Sequence, residues 1–386
     1  MENIKKPIYL DYHSTTPVDK RVAEKVMQYM INDFGNPGSV THAYSEDATK
    51  AINEAKNQIN ELIKSHSSKI IFTSGATESI NLSIIGTVTK DSSKKHKIAV
   101  LPVEHKAVLD TCKTLEKKNL VETIFLKVDQ KGNLDLESLE DACKQELSLV
   151  CVMMANNEIG NIYPIKEICE IASKYNVPVL CDATQGTGKV DIDFNGWNIS
   201  YMTISAHKMY GPKGSGALIL KKGTKLSPML CGGGQQEGMR PGTLNVSGIV
   251  GLGECCKIAH EEMEEDNKKI KARRDLLLNN LMENFSEIVI NGNPDSKLCG
   301  NISVSFPQLK NDEIISLVRD KIAISTGSAC SSGFENPSHV LKAMGLSNEI
   351  ISSTLRICVG KYTTDEDIEI ASEVIISAIK KLKEAK

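Results

Sequence analysis

No stretch of this chain comes near the roughly 18 consecutive apolar residues that a membrane-crossing helix needs, and its first residues, MENIKKPIYLDY, lack the apolar core of a secretory leader. A cytoplasmic location is expected. Charge of one sign is not in excess either: 46 Lys and Arg stand against 49 Asp and Glu, and the pI is near 6.3, so there is no electrostatic footprint for nucleic acid or a membrane surface. Small-molecule and protein partners remain. Paired cysteines are missing too, because the eleven cysteines are odd in number, scattered and never spaced as CxxC. Neither a disulfide framework nor a zinc site is expected, and no metal is assigned. Cys151 and Cys181 fall inside apolar runs and Cys255 and Cys256 in a helical stretch, as inert core thiols do. What the chain has is length: 386 residues exceed what one core usually holds, so two units are expected.

The stretch YMTISAHKMYGPKGSGALIL, residues 201–220, sets one lysine between two apolar runs. Each run reads as a buried strand, which puts Lys208 just past a strand end. In open α/β sheets that is where ligands bind, and a partly desolvated lysine there has the lowered pKa that Schiff-base formation needs. Alone, it reads as a surface lysine in a Gly/Pro loop. Upstream, however, VPVLC ends in Asp182, followed by Ala183, Thr184 and Gln185. An acid at one strand end and a lysine at another supply what pyridoxal phosphate requires, a partner for its ring nitrogen and an amine for its aldehyde.

Three more positions repeat this geometry. KIIFTSGATESINLSIIG, residues 69–86, reads as strand, small-residue turn and helix, with Ser74, Gly75, Ala76 and Thr77 leaving free N–H groups open to an anion at the helix start. An ordinary helix cap is the plainer reading of the same residues. His105 follows the run Ile98–Leu101, and Asn157 follows Val150–Met154. Thr73, His105, Asn157, Asp182 and Lys208 thus all lie beyond the C-terminal end of an apolar run, and in a parallel sheet those ends share one crevice. His13, in the polar turn DYHSTTP, is expected to be solvated, and the charged run Glu261–Arg274 is expected to be a solvated helix face.

A second chemical centre is STGSACSSG, residues 325–333, a loop of small residues that presents one cysteine, Cys330. A nucleophilic thiol must be exposed and able to reach its target, and no other cysteine of the chain has such a setting. Arg356, in LRICVGKYTTDEDI, can hold a carboxylate with two parallel hydrogen bonds or make a surface salt bridge; the sequence hardly separates the two.

LDYHSTTP, DATQ, SAHKMYGPKGSG, the Gly-rich LCGGGQQEGMRPGTLNV and STGSACSSG, in this order along nearly the whole chain, resemble the motifs of cysteine desulfurases of the NifS/IscS type, in the class V aminotransferase family of fold-type I pyridoxal-phosphate enzymes. The resemblance implies an α/β fold: a large unit, residues 15–260, with a mainly parallel sheet flanked by helices, and a smaller α+β unit from residues 1–14 and 261–386 that carries the cysteine loop. It implies pyridoxal 5'-phosphate on Lys208, with Ala76, Thr77, Ser205 and His207 at its phosphate, Asp182 at the ring nitrogen, Asn157 and Gln185 near the phenolic oxygen and His105 stacked over the ring. Thr243 would reach the phosphate of a neighbouring subunit, so a homodimer is implied. Arg356, with Asn157, would hold the carboxylate of L-cysteine, which becomes L-alanine as Cys330 takes the sulfur as a persulfide. A sulfur-acceptor protein, such as an iron–sulfur scaffold or a tRNA-thiolation enzyme, is implied in turn. The alternatives are a selenocysteine or cysteine lyase, against which the cysteine loop argues, and a non-catalytic sulfur-carrier subunit, against which Asp182, Lys208, His105 and Cys330 together argue. The chain ends without the C-terminal tail that the scaffold-serving member of the group carries.

Overall fold

The structure, a computed structural model, describes residues 6–39, 41–326 and 337–385. Along these residues run the strands β1 (Ile8–Tyr9), β2 (Lys69–Thr73), β3 (His96–Val100), β4 (Val121–Phe125), β5 (Leu149–Met153), β6 (Val179–Asp182), β7 (Tyr201–Ser205), β8 (Gly216–Leu220), β9 (Val289–Ile290), β10 (Asn301–Ser305), β11 (Ile322–Ala323) and β12 (Thr354–Cys358). The sheet that matters for the site has seven strands in the order β2-β8-β7-β6-β5-β3-β4. All its neighbours run parallel except β8, which is antiparallel to both β2 and β7. The reason is length. Residues 206–215 join β7 to β8, too few for the crossover that parallel neighbours require.

Successive residues of these strands feed opposite faces. Ile70 and Phe72, Ala99, Val150 and Val152, and Met202 and Ile204 join one apolar cluster, while Ile71, Ile98 and Val100, Cys151 and Tyr201 join another. Both faces are covered by helices, among them Ala43–Leu62 and Ile165–Lys174 on one and Ala76–Thr89 and Lys106–Lys117 on the other. A strand buried on both sides reads as an unbroken apolar run, which is why these strands stand out in the sequence. A third cluster gathers Leu10 with residues between Ile270 and Ile379, around the antiparallel sheet β12-β10-β9. The 39-residue helix Val246–Asn284 serves both ends, with Leu252 and Cys256 in the first cluster and Leu277 and Leu281 in the third. Val340, Leu341, Met344 and Ile351 pack in the first cluster, against the large sheet.

The charged middle of that long helix is less solvated than expected. Glu262 and Asp266 both pair with Lys361, at 2.5 and 2.7 Å, and Glu262 also takes a 2.6 Å bond from Arg21. This helix turn thus ties both chain ends to the middle of the protein. At the open edge of β2, Gln236 stands in for a strand: its Oε1 accepts from Phe72 N at 2.7 Å and its Nε2 donates to Phe72 O at 2.9 Å.

Candidate active site

The C-terminal ends of β2, β5, β6 and β7 border a cavity of about 500 Å³ lined by His105, Asn157, Asp182, Gln185, Lys208 and Arg356, among others. Ala76, Thr77, Ser205 and His207 line its other end. Convergence at one sheet edge, expected from the apolar runs, is therefore met for His105, Asn157, Asp182 and Lys208, whereas Thr73 ends β2 without lining this cavity. Thr243 is exposed on its loop and is not among the lining residues, and Cys330 lies outside the described residues.

Lys208 sits in a single 3₁₀ turn directly after β7. Its Nζ donates to the carbonyls of His13, at 2.7 Å, and Ser14, at 2.6 Å. Burial first, then the positive charges of Lys189 and Arg356, push the amine down to about 7. A large part of it is unprotonated at neutral pH, which an amine needs in order to attack a carbonyl. Asp182 ends β6 and is buried. Its Oδ1 accepts from Thr203 Oγ1 at 3.1 Å and from the N–H and the hydroxyl of Thr184, so these donors hold the carboxylate in one orientation while Oδ2 takes none of them.

His105 caps the helix Lys106–Lys117, its Nδ1 accepting from Ala107 N at 3.1 Å. With Nδ1 an acceptor, the ring is neutral and its proton is on Nε2. Burial acts the same way, lowering the imidazole below its ordinary value. His207 is lowered to about 4 by burial and by Lys208 and Lys213, and its Nδ1 meets Thr15 Oγ1 at 3.0 Å.

Arg356 is no surface residue. It is 1% exposed, on β12, with Nη2 bonded to Asp11 Oδ1 at 2.7 Å and Nη1 donating to Asn157 O at 3.3 Å. Asp11 fixes the guanidinium from one side while Arg356 borders the cavity on the other, an arrangement suited to receiving a carboxylate.

The helix Ala76–Thr89 begins at Gly75, whose φ of 150° suits only glycine and which offers no side chain as a cap. Gly216 lies so close that a Cβ there would sit 2.6 Å from Gly75 Cα. Two glycines therefore let the helix start press against the start of β8, leaving an anion-sized cradle of N–H groups beside Ser205 at the end of β7. Glu78, which takes a 2.7 Å bond from Ser74 N at this cradle, is neutralised by Arg240 at 2.8 Å. Cradle, amine, buried acid and flat imidazole together match the phosphate, aldehyde, ring nitrogen and ring face of pyridoxal phosphate, so the residues present fit that group.

Three site residues escape sequence reasoning. His13, expected to be solvated, is 3% exposed: its polar turn is folded under the cavity, where its carbonyl serves Lys208 and Gln185. Desolvation holds its imidazole well below the ordinary range. Glu104 is wholly buried beside His105, its Oε2 accepting from His105 N at 3.3 Å and its Oε1 without a partner among the described residues. Burial and the charge of Asp182 raise its carboxyl well above the carboxylate range. Lys189, seven residues past Asp182, points at Gln185. Nothing in the sequence marks Glu104 as buried or Lys189 as half-buried, because both look like ordinary surface charges.

Residues 8–370 match the family model for class-V aminotransferases. A relative named cysteine desulfurase IscS, from Colwellia psychrerythraea, is 45% identical over 385 residues, 99% of this chain and 95% of that protein. Among solved structures, a NifS-like protein superposes with a TM-score of 0.90 at 34% identity, covering 97% of this chain and 99% of its own, and another, titled SspA in complex with cysteine, reaches 0.82 at 33% identity over 92% and 100%. A matched model over nearly the whole chain, a full-length relative and a seven-stranded sheet edge built for pyridoxal phosphate agree: this chain belongs to the class-V aminotransferase family of fold-type I pyridoxal-phosphate enzymes.

Proposed function

We propose that this chain is a cysteine desulfurase, which converts L-cysteine to L-alanine and passes the sulfur on through Cys330. The observation that carries the reading is the meeting of Lys208, His105, Asp182 and Arg356 on one cavity, in a chain whose full-length relatives bear that name. Bound pyridoxal phosphate supplies the electron sink that makes the substrate Cα–H acidic.

The residues divide the rest of the work. Ala76, Thr77, Ser205 and His207 hold the phosphate end, the helix N-terminus favouring its charge. Asp182, oriented by Thr184 and Thr203, keeps a proton on the ring nitrogen. Arg356, steadied by Asp11, takes the α-carboxylate of L-cysteine with Asn157 beside it. Lys208, with an amine near 7, gives up and takes back a proton at Cα without a large energetic mismatch in either direction. His105, neutral with Nε2–H, donates on the cavity side. The thiolate of Cys330 attacks the substrate sulfur and breaks its bond to Cβ; the electron pair of that bond stays with the carbon fragment, which takes up a proton on its way to alanine, and Cys330 is left as a persulfide from which an acceptor protein takes the sulfur. Thr243, exposed on the loop that also carries Arg240, is assigned to a second copy's phosphate site, which makes the working unit a homodimer. The working compartment is taken as the cytoplasm; among the described residues no helix is long and apolar enough to cross a membrane.

The deciding experiment is alanine formed from L-cysteine with and without a reducing thiol. Turnover that continues with thiol and stalls near one alanine per subunit without it supports desulfuration through a persulfide. Pyruvate as product would mean a lyase, and no product a non-catalytic subunit.

A further inference from the structure

We propose that Lys189 is a positioning residue of this site: by donating to Gln185 Oε1 from outside the cavity, it fixes the Gln185 amide with its N–H₂ end toward the cofactor's ring oxygen. The inference rests on the reading of the cavity as a pyridoxal-phosphate site.

A glutamine amide has a donor end and an acceptor end of nearly the same shape, and either can face a ligand. Here the neighbours leave no choice. Lys189 Nζ lies 3.2 Å from Gln185 Oε1, and an ammonium can only donate. Gln185 Nε2 lies 2.7 Å from the carbonyl of His13, which can only accept. Turning the amide over would set N–H against N–H at one end and oxygen against oxygen at the other, losing both bonds in a residue that is 5% exposed. One hydrogen of Nε2 goes to His13; the second has no acceptor among the described residues, and Gln185 lines the cavity. A donor held at that wall suits a phenolate-like ring oxygen and disfavours a donor group in its place.

Lys189 is itself built into position. Its carbonyl accepts from Asn267 Nδ2 at 2.8 Å, and Asn267 Oδ1 in turn accepts from Cys299 Sγ at 3.1 Å, which ties it to the long helix Val246–Asn284. Its Nζ also donates to Gln185 O at 3.2 Å, and no carboxylate pairs with it among the described residues. A half-buried lysine with no anion partner among the described residues and both bonds on one glutamine is held at a cost, which argues for a use. Burial lowers its ammonium to about 8, so it is still mostly charged at neutral pH.

The test is a double-mutant cycle on cofactor affinity, with the full-length protein stripped of pyridoxal phosphate and titrated with it again. Lys189→Met should weaken binding by about 10- to 100-fold, the range for a lost hydrogen bond to a charged oxygen, and should move the visible absorbance band of the bound cofactor. In a Gln185→Ala background the same change should cost less than about threefold, since the two residues act as a unit. Lys189→Arg, donor-only like lysine, should restore affinity and band. Lys189→Leu, which has no donor, should not, and it keeps the test decisive should Lys189→Met fail to fold. Equal losses in both backgrounds, or unchanged affinity in Lys189→Met or Lys189→Leu, would overturn the proposal. A wild-type protein that binds no pyridoxal phosphate would instead refute the proposed function.

Discussion

Replacing Lys208 with methionine should stabilise the cofactor-free protein at neutral pH, because the amine is held in a place where its charge is unwelcome. Folding lowers it from an ordinary value of 10.5 to about 7, chiefly by burial. The unfolded chain therefore binds more protons than the folded one between those values, and stability rises with pH across that window. Below about 7 both states are protonated and the full penalty applies. Weighing the two protonation equilibria puts the penalty at about 4 kcal/mol at pH 7 and under about 1 kcal/mol at pH 10. Methionine keeps an apolar stem of similar length and carries no charge. For a chain of this length that melts as one unit, 4 kcal/mol corresponds to a rise in Tm of about 5 °C. The assay is thermal unfolding of wild-type and Lys208→Met apoprotein at several pH values from 7 to 10. The gap between the curves should shrink toward pH 10, and the comparison cancels the slopes that Lys189 and Lys297, both lowered to about 8, give to each protein alike. A pH-independent gap, or a variant less stable at pH 7, would mean that Lys208 titrates near its ordinary value and that the reasoning is wrong.

Arg356→Lys should raise KM for L-cysteine by about 10-fold or more, since a point charge cannot reproduce two parallel bonds while also holding Asp11; steady-state kinetics will show it, and an unchanged KM would move the carboxylate elsewhere. Gly75→Ala should loosen pyridoxal phosphate by at least about tenfold in equilibrium dialysis, because alanine at a φ of 150° is strained by about 1–3 kcal/mol and pulls the helix start off β8. Asp182→Asn should cut kcat by about 100-fold or more while the protein still holds the cofactor, as measured by alanine release and absorbance; full activity would remove Asp182 from the ring nitrogen. Cys330→Ala should abolish sulfur transfer to an acceptor, and persistent transfer at the normal rate would assign the thiol role to another cysteine, with the exposed Cys231 the first to check.

Strand runs such as VPVLC and YMTIS are legible because both faces of the sheet are covered, so no polar alternation breaks them. With the strands go their ends, and with the ends go Lys208, Asp182, His105 and Asn157, since parallel neighbours must present those ends together. The antiparallel turn of β8 is equally plain once the shortness of residues 206–215 is noticed. Pairings between distant positions are not legible. Arg356 and Asp11 are 345 residues apart, and no spacing rule connects them. Charges drawn away from water are hidden for a different reason: Glu104, Lys189 and the turn of His13 have the composition of surface, and only the fold reveals that Glu104 and His13 are buried and Lys189 half-buried.

The hold that Gln236 keeps on Phe72 bears on how this protein survives at high concentration. An edge strand offers its N–H and C=O groups to any passing chain, and β2, with Ile70, Ile71 and Phe72 in sequence, is an apolar one. The glutamine amide occupies those two groups as a strand from another molecule would, and its neighbour Glu237 adds a charge beside them, paired with Lys69 at 2.6 Å. The same loop carries Arg240 on Glu78 at the phosphate cradle. Solubility and cofactor site thus share one clasp, and preparations in which the loop is cut or displaced should gain a sticky edge at the moment they lose their hold on pyridoxal phosphate.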